Sequence, residues 1–181
     1  MKALGLLSGG LDSRLALKLV QSQGVEIVAL HYITPFCTCT AKSSCKLEAR
    51  KAAEEYGLPL KVFFVFTEFM EVIKKPKYGY GSGINPCLDC RILMFKKAKE
   101  IMATEGASFI VTGEVLGERP MSQRLDAIKT IERESGLSGL IVRPLSAKHF
   151  PPSIPEQKGW VDREKFLAIK GRSRKPQMAL A

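Results

Sequence analysis

The stretch that most constrains this chain is Leu4-Gly5-Leu6-Leu7-Ser8-Gly9-Gly10-Leu11-Asp12-Ser13. A short apolar run stops abruptly in Ser-Gly-Gly, and an amphipathic run follows with Leu15, Leu19 and Ala16, Val20 at i,i+4 spacing. The pattern predicts a strand, a tight loop and a helix. Two glycines let the backbone turn sharply and come close to a ligand, because no Cβ intervenes. A loop that opens a helix carries free N–H groups and the positive end of the helix dipole. Ser8 and Ser13 add hydroxyls, so the stretch reads as an anion site, and the natural anion is a phosphate. No Lys follows Gly10, which excludes the Walker loop, and the dinucleotide fingerprint G-x-G-x-x-G is absent.

The 181 residues, 45% hydrophobic and 25% charged, suit one α/β domain with an appendage, and no apolar stretch is long enough to span a bilayer. Met-Lys-Ala-Leu-Gly runs straight into the first strand with no signal segment, so a cytoplasmic location is expected. A formal charge of +10 favours a polyanionic partner. The five cysteines, Cys37, Cys39, Cys45, Cys87 and Cys90, are odd in number, which argues for reactive thiols or metal ligands over a disulfide framework.

In chain order, strands are expected over about 2–7, 25–31, 60–66, 109–112 and 139–142. Helices are expected over about 12–23, over 44–56, where Ser43 or Ser44 is placed to cap and Leu47, Ala52, Ala53 and Tyr56 face inward, and over 67–75 and 88–104. The last of these puts Leu88, Ile92, Phe95 and Ile101 on one face and Arg91, Lys96, Lys97 and Lys99 on the other. A further helix opened by Pro120 turns Met121, Leu125, Ile128 and Ile131 inward. This alternation calls for a five-stranded parallel sheet with helices on both faces. After Arg143 the character changes. Nine basic residues face three acidic ones up to Lys175, Pro151, Pro152 and Pro155 break regularity, and Asp162 is placed to cap a short helix. The chain therefore divides into a nucleotide-binding domain, 1–148, and a Pro-rich basic extension, 149–181, whose uncapped end reads as the start of a further region. Lys148, Arg172, Arg174 and Lys175 are the candidate RNA contacts.

Ser8-Gly9-Gly10-Leu11-Asp12-Ser13 resembles the pyrophosphate loop of the PP-loop ATPases, which cleave ATP between the α and β phosphates, transfer AMP to a substrate and release pyrophosphate. The resemblance implies a fold of the adenine nucleotide α-hydrolase type, strand order 3-2-1-4-5, with ATP and Mg2+ as cofactors. In an open parallel sheet, ligands bind beyond the carboxyl ends of the strands. The suggestive residues all fall there: the loop itself, His31, Cys37 and Cys39, Asn85 to Cys90, Thr112-Gly113-Glu114, then Arg143 and Lys148.

Thr112-Gly113-Glu114 resembles the T-G-H step of the tRNA 2-thiouridylases, with Glu114 in place of His. Asn85-Pro-x-x-x-Cys90 resembles their N-P-D-x-x-C segment, in which the Cys at the position of Cys90 carries the sulfur. Cys87 stands where that family has Asp, and the family's second catalytic Cys, far downstream, is missing. Arg143-Pro-Leu resembles a step in related tRNA-modifying PP-loop enzymes. The implied function is ATP-dependent thiolation of a tRNA uridine: adenylation turns the carbonyl oxygen into a good leaving group, AMP, and sulfur replaces it. Asp12, Cys87 and Cys90 are then catalytic; His31, Thr112, Gly113, Glu114 and Arg143 join the loop around ATP. The implied partners are tRNA and a sulfur donor, either a persulfide carrier or a cysteine desulfurase system, with no membrane.

A cysteine at a helix N-terminus beside Arg91 is expected to have a lowered pKa, and Cys87-x-x-Cys90 has redox spacing. Alternatively Cys37, Cys39, Cys87 and Cys90, with Cys45 nearby, supply thiolates to zinc or an iron–sulfur cluster. Two rival functions stand beside thiolation. One is a PP-loop ligase or synthase that adenylates a small molecule. The other is a zinc-stabilised RNA-binding module without catalysis.

Overall fold

The computed structural model describes residues 1–34, 45–81 and 85–181. Cys37 and Cys39, and the expected helix caps Ser43 and Ser44, lie outside the described residues. The elements are β1 (Lys2–Leu6), α1 (Leu11–Gln21), β2 (Glu26–Ile33), α2 (Cys45–Glu55), β3 (Leu60–Phe64) and α3 (Phe66–Lys74). They continue with α4 (Cys87–Glu105), β4 (Phe109–Val111), α5 (Leu125–Ser135), β5 (Ile141–Val142), α6 (Ile154–Gln157) and α7 (Lys175–Met178).

The strands form one sheet in the order β3-β2-β1-β4-β5, every pair parallel, as expected. Parallel pairing needs helical crossovers, and these cover both faces, so the central strands are apolar throughout. Ala3, Leu7, Ile27 and Ala29 pack on one face with α1 and with Ala49, Ala52 and Ala53 of α2. Leu4, Leu6, Val28, Leu30 and Tyr32 pack on the other with Ile92, Phe95 and Ala98 of α4 and Ile131 of α5. The period-two alternation along β1 and β2 sorts these side chains between the two layers. Among the described residues, no helix is long and apolar enough to cross a membrane.

Three expectations change. Pro120 does not open a helix. Residues 117–123 close on themselves: the Gly117 N–H donates to the Gln123 carbonyl at 2.7 Å, and the Arg119 N–H donates to Gln123 Oε1 at 2.9 Å. The buried Gln123 side chain satisfies backbone that a helix would otherwise have to pair, and α5 begins only at Leu125, which is exposed. Arg91 does not join the solvated lysine face of α4 but turns inward. Leu47, expected inward on α2, is exposed, while Ala52 and Ala53 are buried.

Residues 149–181 fold back onto the sheet. Asp162 caps a single 3-10 turn, Arg163–Lys165, through the Glu164 N–H at 2.9 Å. The chain then runs extended, with the N–H groups of Leu167 and Ile169 donating to the carbonyls of Pro144 and Leu145, each at 2.8 Å. Val161, Phe166 and Ile169 enter the same core as α1 and α2. Ser146 ties the parts together: its hydroxyl donates to the Ile169 carbonyl at 2.6 Å and accepts from the Leu116 N–H at 3.0 Å.

Phe166 is buried among residues of the sheet face, so its truncation leaves a cavity in the shared core. Phe166→Ala is expected to cost about 3–5 kcal/mol in a single cooperative urea transition. A transition within about 1 kcal/mol of wild type, or a separate early step, would show that the tail folds apart from the sheet.

Candidate functional site

The carboxyl ends of β1, β2 and β4 open into a cleft of about 680 Å³. Ser8, Gly10, Asp12 and Ser13 line it from the first loop, His31 from β2, and Thr112 and Gly113 from the end of β4. Cys87 and Cys90 line it from α4, Glu114 and Glu118 from the loop after β4, and Arg174 from the C-terminal segment. Of the residues expected at separate strand ends, the Ser8–Ser13 loop, His31, Asn85, Cys87, Cys90, Thr112, Gly113 and Glu114 share this one cleft, with Gly9 and Leu11 in the loop backbone.

The loop is shaped to leave donors free. Ser13 Oγ donates to the Gly10 carbonyl at 2.8 Å, and the two hydroxyls of Ser8 and Ser13 lie 3.1 Å apart. The first helical bond of α1 is Arg14 N–H to the Gly10 carbonyl at 3.2 Å, and Gly10 supplies no side-chain cap. The N–H groups of Leu11, Asp12 and Ser13 precede that bond, so they lack helical partners. They form a cradle for an anion, reinforced by the helix dipole. Two glycines hold it in place. Gly9 has φ +85, and a Cβ there would lie 2.8 Å from the Ala49 amide nitrogen of α2. A Cβ on Gly113 would lie 2.5 Å from the Ser13 nitrogen. The end of β4 thus presses directly on the first turn of α1.

His31 is buried, and its Nδ1 lies 2.8 Å from the Leu7 carbonyl. A carbonyl only accepts, so Nδ1 carries the proton and Nε2 is left as a bare acceptor. Burial holds the imidazole pKa below its ordinary value, outweighing the bond to Leu7. Nε2 is buried with no partner among the described residues, as is the Tyr32 hydroxyl. Both residues line the cleft. Burial also raises the Tyr32 phenol pKa, which keeps it protonated.

On the α4 side, Cys87 and Cys90 are free and half-buried. Cys90 Sγ lies 3.9 Å from Met94 Sδ. The expected lowered pKa is overturned: burial pushes the Cys90 thiol up to about 11, against the opposing pull of Arg91. Desolvation disfavours the thiolate more than the neighbouring cation favours it. Asp89, between the two cysteines, accepts the N–H groups of Lys77 and Tyr78, each at 3.0 Å, and fixes the preceding loop to the helix.

Glu114 and Arg143 do not serve as expected. Glu114 is 2% exposed and sits between two arginines: Oε1 accepts from Arg91 Nε at 3.0 Å and Nη2 at 2.5 Å, and Oε2 from Arg143 Nε at 3.0 Å. Arg143 Nη1 then donates to Glu132 at 2.5 Å. Burial alone would raise the Glu114 pKa, but the two guanidinium groups hold it below the ordinary carboxylate value. Arg143 is thus consumed by two carboxylates, is buried, and does not line the cleft. Lys148 is exposed beside Glu164 at 3.4 Å, also away from the cleft. Arg172 and Lys175 are exposed, whereas Arg174 lies on Asp12 at 3.1 Å.

Sequence reasoning missed Arg91, Tyr32 and Glu118 as parts of the site. The signal for Glu118 was present, because it follows the T-G step on the same loop. Nothing in the local pattern of α4 separated Arg91 from its lysine neighbours.

A family model for thiamine biosynthesis protein (ThiI) matches residues 1–149. The chain is 32% identical over 146 residues to a probable tRNA sulfurtransferase of Oceanobacillus iheyensis, covering 80% of this chain and 34% of that protein. It is 29% identical over 129 residues to tRNA-specific 2-thiouridylase MnmA of Leptospira interrogans, covering 62% of this chain and 33% of that one. The chain spans about a third of the length of these curated relatives. Among solved structures it resembles a 4-thiouridine synthetase in complex with RNA and bound ATP, with TM-score 0.62 and 27% identity over 79% of this chain and 36% of that one.

Two outcomes follow from the site. Alkylation of Cys90 by iodoacetamide, followed by peptide mass, is expected to accelerate with a midpoint above about pH 10, whereas a midpoint near the ordinary thiol value of about 8.5 would contradict its burial. Glu114→Gln leaves two buried guanidinium groups without their carboxylate and is expected to cost about 3–5 kcal/mol at pH 7. The wild-type carboxylate has a depressed folded pKa, so its contribution is complete above the unfolded value of about 4.3 and fades as pH falls through the folded value. The deficit measured by denaturant titration should therefore persist at pH 6 and shrink only in strong acid; an equal deficit at every pH would contradict the assignment.

Proposed function

The chain belongs to the ThiI family, and on that premise we propose that it is the ATP-using unit of a tRNA sulfurtransferase, replacing a uridine carbonyl oxygen with sulfur. The observation that carries the reading is the cradle of unpaired N–H groups on α1, opening into the same cleft as Cys90. The named relatives act in tRNA thiolation, and the 4-thiouridine synthetase structure holds ATP and RNA together.

In this mechanism Ser8, the loop amides and Ser13 hold the pyrophosphate part of ATP, where negative charge collects as it leaves. Asp12 and Glu118 face one cleft, and Asp12 Oδ1 is buried without a partner among the described residues, a donor set that fits a magnesium ion beside phosphate. Bound there, magnesium would neutralise charge on the phosphates. His31 Nε2 and the Tyr32 hydroxyl offer an acceptor and a donor to the nucleotide or the target base. The uridine carbonyl oxygen attacks the α-phosphorus, the bond to the β-phosphate oxygen breaks, and pyrophosphate departs. Sulfur delivered at Cys90 then attacks the activated carbon, and AMP departs with the former carbonyl oxygen. Cys87, three residues away, is placed to attack Cys90 Sγ: a Cys87–Cys90 disulfide forms, the bond from Sγ to the outer sulfur breaks, and that sulfur leaves on the uridine, with a thiol reductant restoring the pair. The supplier of sulfur is a persulfide carrier or a cysteine desulfurase system. Cys37 and Cys39, two of the four candidate metal ligands, lie outside the described residues, and the steps above run through the thiols of Cys87 and Cys90 alone.

Residues 1–148 supply the phosphate loop and most of the cleft, 149–181 pack onto them and add Arg174, and the exposed Arg172, Lys175 and Lys148 are available to RNA phosphates. The decisive measurement uses the chain with tRNA, magnesium ATP, a persulfide donor (a cysteine desulfurase with cysteine) and a thiol reductant, followed by nucleotide analysis and nucleoside mass spectrometry. Expected products are AMP, pyrophosphate and thiouridine, with turnover of Asp12→Ala down about a hundredfold. ADP and phosphate as products would overturn the PP-loop mechanism. AMP and pyrophosphate formed without tRNA but with a small-molecule acceptor would replace thiolation by small-molecule adenylation.

A further inference from the structure

We propose that Arg174, delivered by the C-terminal segment, is a phosphate-binding residue of the nucleotide site, gripping the pyrophosphate part of the bound triphosphate. The inference rests on the adenylation reading above for its ligand, but not for its geometry. The segment that carries Arg174 lies beyond residues 1–149, the part matched by the family.

The segment is fixed where the argument needs it. Lys170 forms a parallel bridge with Leu116, and the Gly171 N–H donates to the Leu116 carbonyl at 2.7 Å. Ser146 joins Leu116 to Ile169, so the tail and the loop after β4 move as one piece. Beyond Arg174, Gln177 is fully buried, and α7 packs against α1. The guanidinium between these anchors is aimed at the cradle. Its Nη2 donates to Asp12 Oδ2 at 3.1 Å, and its Nε lies 3.8 Å from Glu118 Oε1.

Charge makes the residue necessary. Asp12 sits in the first turn of α1, and Glu118 faces it across the cleft. Two carboxylates beside a cradle for a polyanion would repel that anion. Arg174 offsets them. It also has capacity left: the side chain is 50% exposed, and Nη1 makes no hydrogen bond among the described residues. A planar guanidinium can keep one edge on a carboxylate and offer the other to a phosphate. AMP carries no β- or γ-phosphate, so it should gain little from this contact.

The test is calorimetric binding of inorganic pyrophosphate, AMP and a non-hydrolysable ATP analogue to wild type, Arg174→Ala and Arg174→Lys. Arg133→Ala, on the last turn of α5, serves as a charge control, and thermal midpoints check folding. Arg174→Ala should weaken pyrophosphate and the analogue about ten- to hundredfold, with AMP changed less than about threefold. Arg174→Lys should fall between, and Arg133→Ala should match wild type. Unchanged pyrophosphate affinity in Arg174→Ala, an equal loss for AMP, or no pyrophosphate binding by wild type would each overturn the assignment. Wild type that binds pyrophosphate through Arg174 but not the ATP analogue would sink the adenylation reading and leave the role of Arg174 standing.

Discussion

The structure depends on keeping three backbone N–H groups unpaired at the start of α1. Unsatisfied donors are costly when buried, so they must stay at an opening, yet they must be held rigidly to bind an anion. The fold resolves this by close approach. Gly9 lets the loop lie against the backbone of α2, and Gly113 lets the end of β4 lie against the backbone of α1. With Cβ atoms at these points the neighbouring backbones would have to part, and the donors would lose their fixed directions. The parallel sheet supplies the rest, because it sets the ends of β1, β2 and β4 side by side.

A second constraint is electrostatic. Arg91, Glu114, Arg143 and Glu132 form an alternating row that runs from α4 through the loop after β4 to β5 and α5. Each inner member is paired on both sides, which is the condition under which buried charges are tolerable. The row fastens the cysteine-bearing helix to the same loop that carries Gly113 and Glu118. The anion cradle and the thiols therefore share a rigid partner, although α1 and α4 lie on opposite faces of the sheet.

Much of this was legible in the residues. Ser8 to Ser13 after an apolar run specifies its own loop, and the strand–helix alternation led to the parallel sheet in the observed order. Local patterns failed where the deciding contact was distant. Arg143 and Glu114 looked like phosphate and nucleotide contacts because each sits at a strand end; only the fold shows them facing each other. The segment after Pro120 looked helical because its apolar spacing fits a helix, but Gln123 satisfies the backbone of a tight loop instead. The tail looked like a separate basic extension because its prolines break regularity. One of its aromatic residues, Phe166, belongs to the main core, and Arg174 faces the nucleotide loop.

The burial of Cys90 bears on which sulfur chemistry the cleft can host. A thiol held near pKa 11 costs about 5 kcal/mol to ionise at neutral pH, so a free Cys90 thiolate is a poor nucleophile by population. Arg91 cannot correct this, since its guanidinium is committed to Glu114. A sulfur carried on Cys90 is different. The ionising atom then lies one S–S bond, about 2 Å, beyond Sγ and nearer the open cleft, where the desolvation that raises the thiol pKa is weaker. The same burial that disables Cys90 as a thiolate thus leaves it suited to bear an outer sulfur, and it shields the bond to Sγ from solvent. Under the proposed thiolation, the outer sulfur of a Cys90 persulfide would be the reacting atom, with Sγ held by packing.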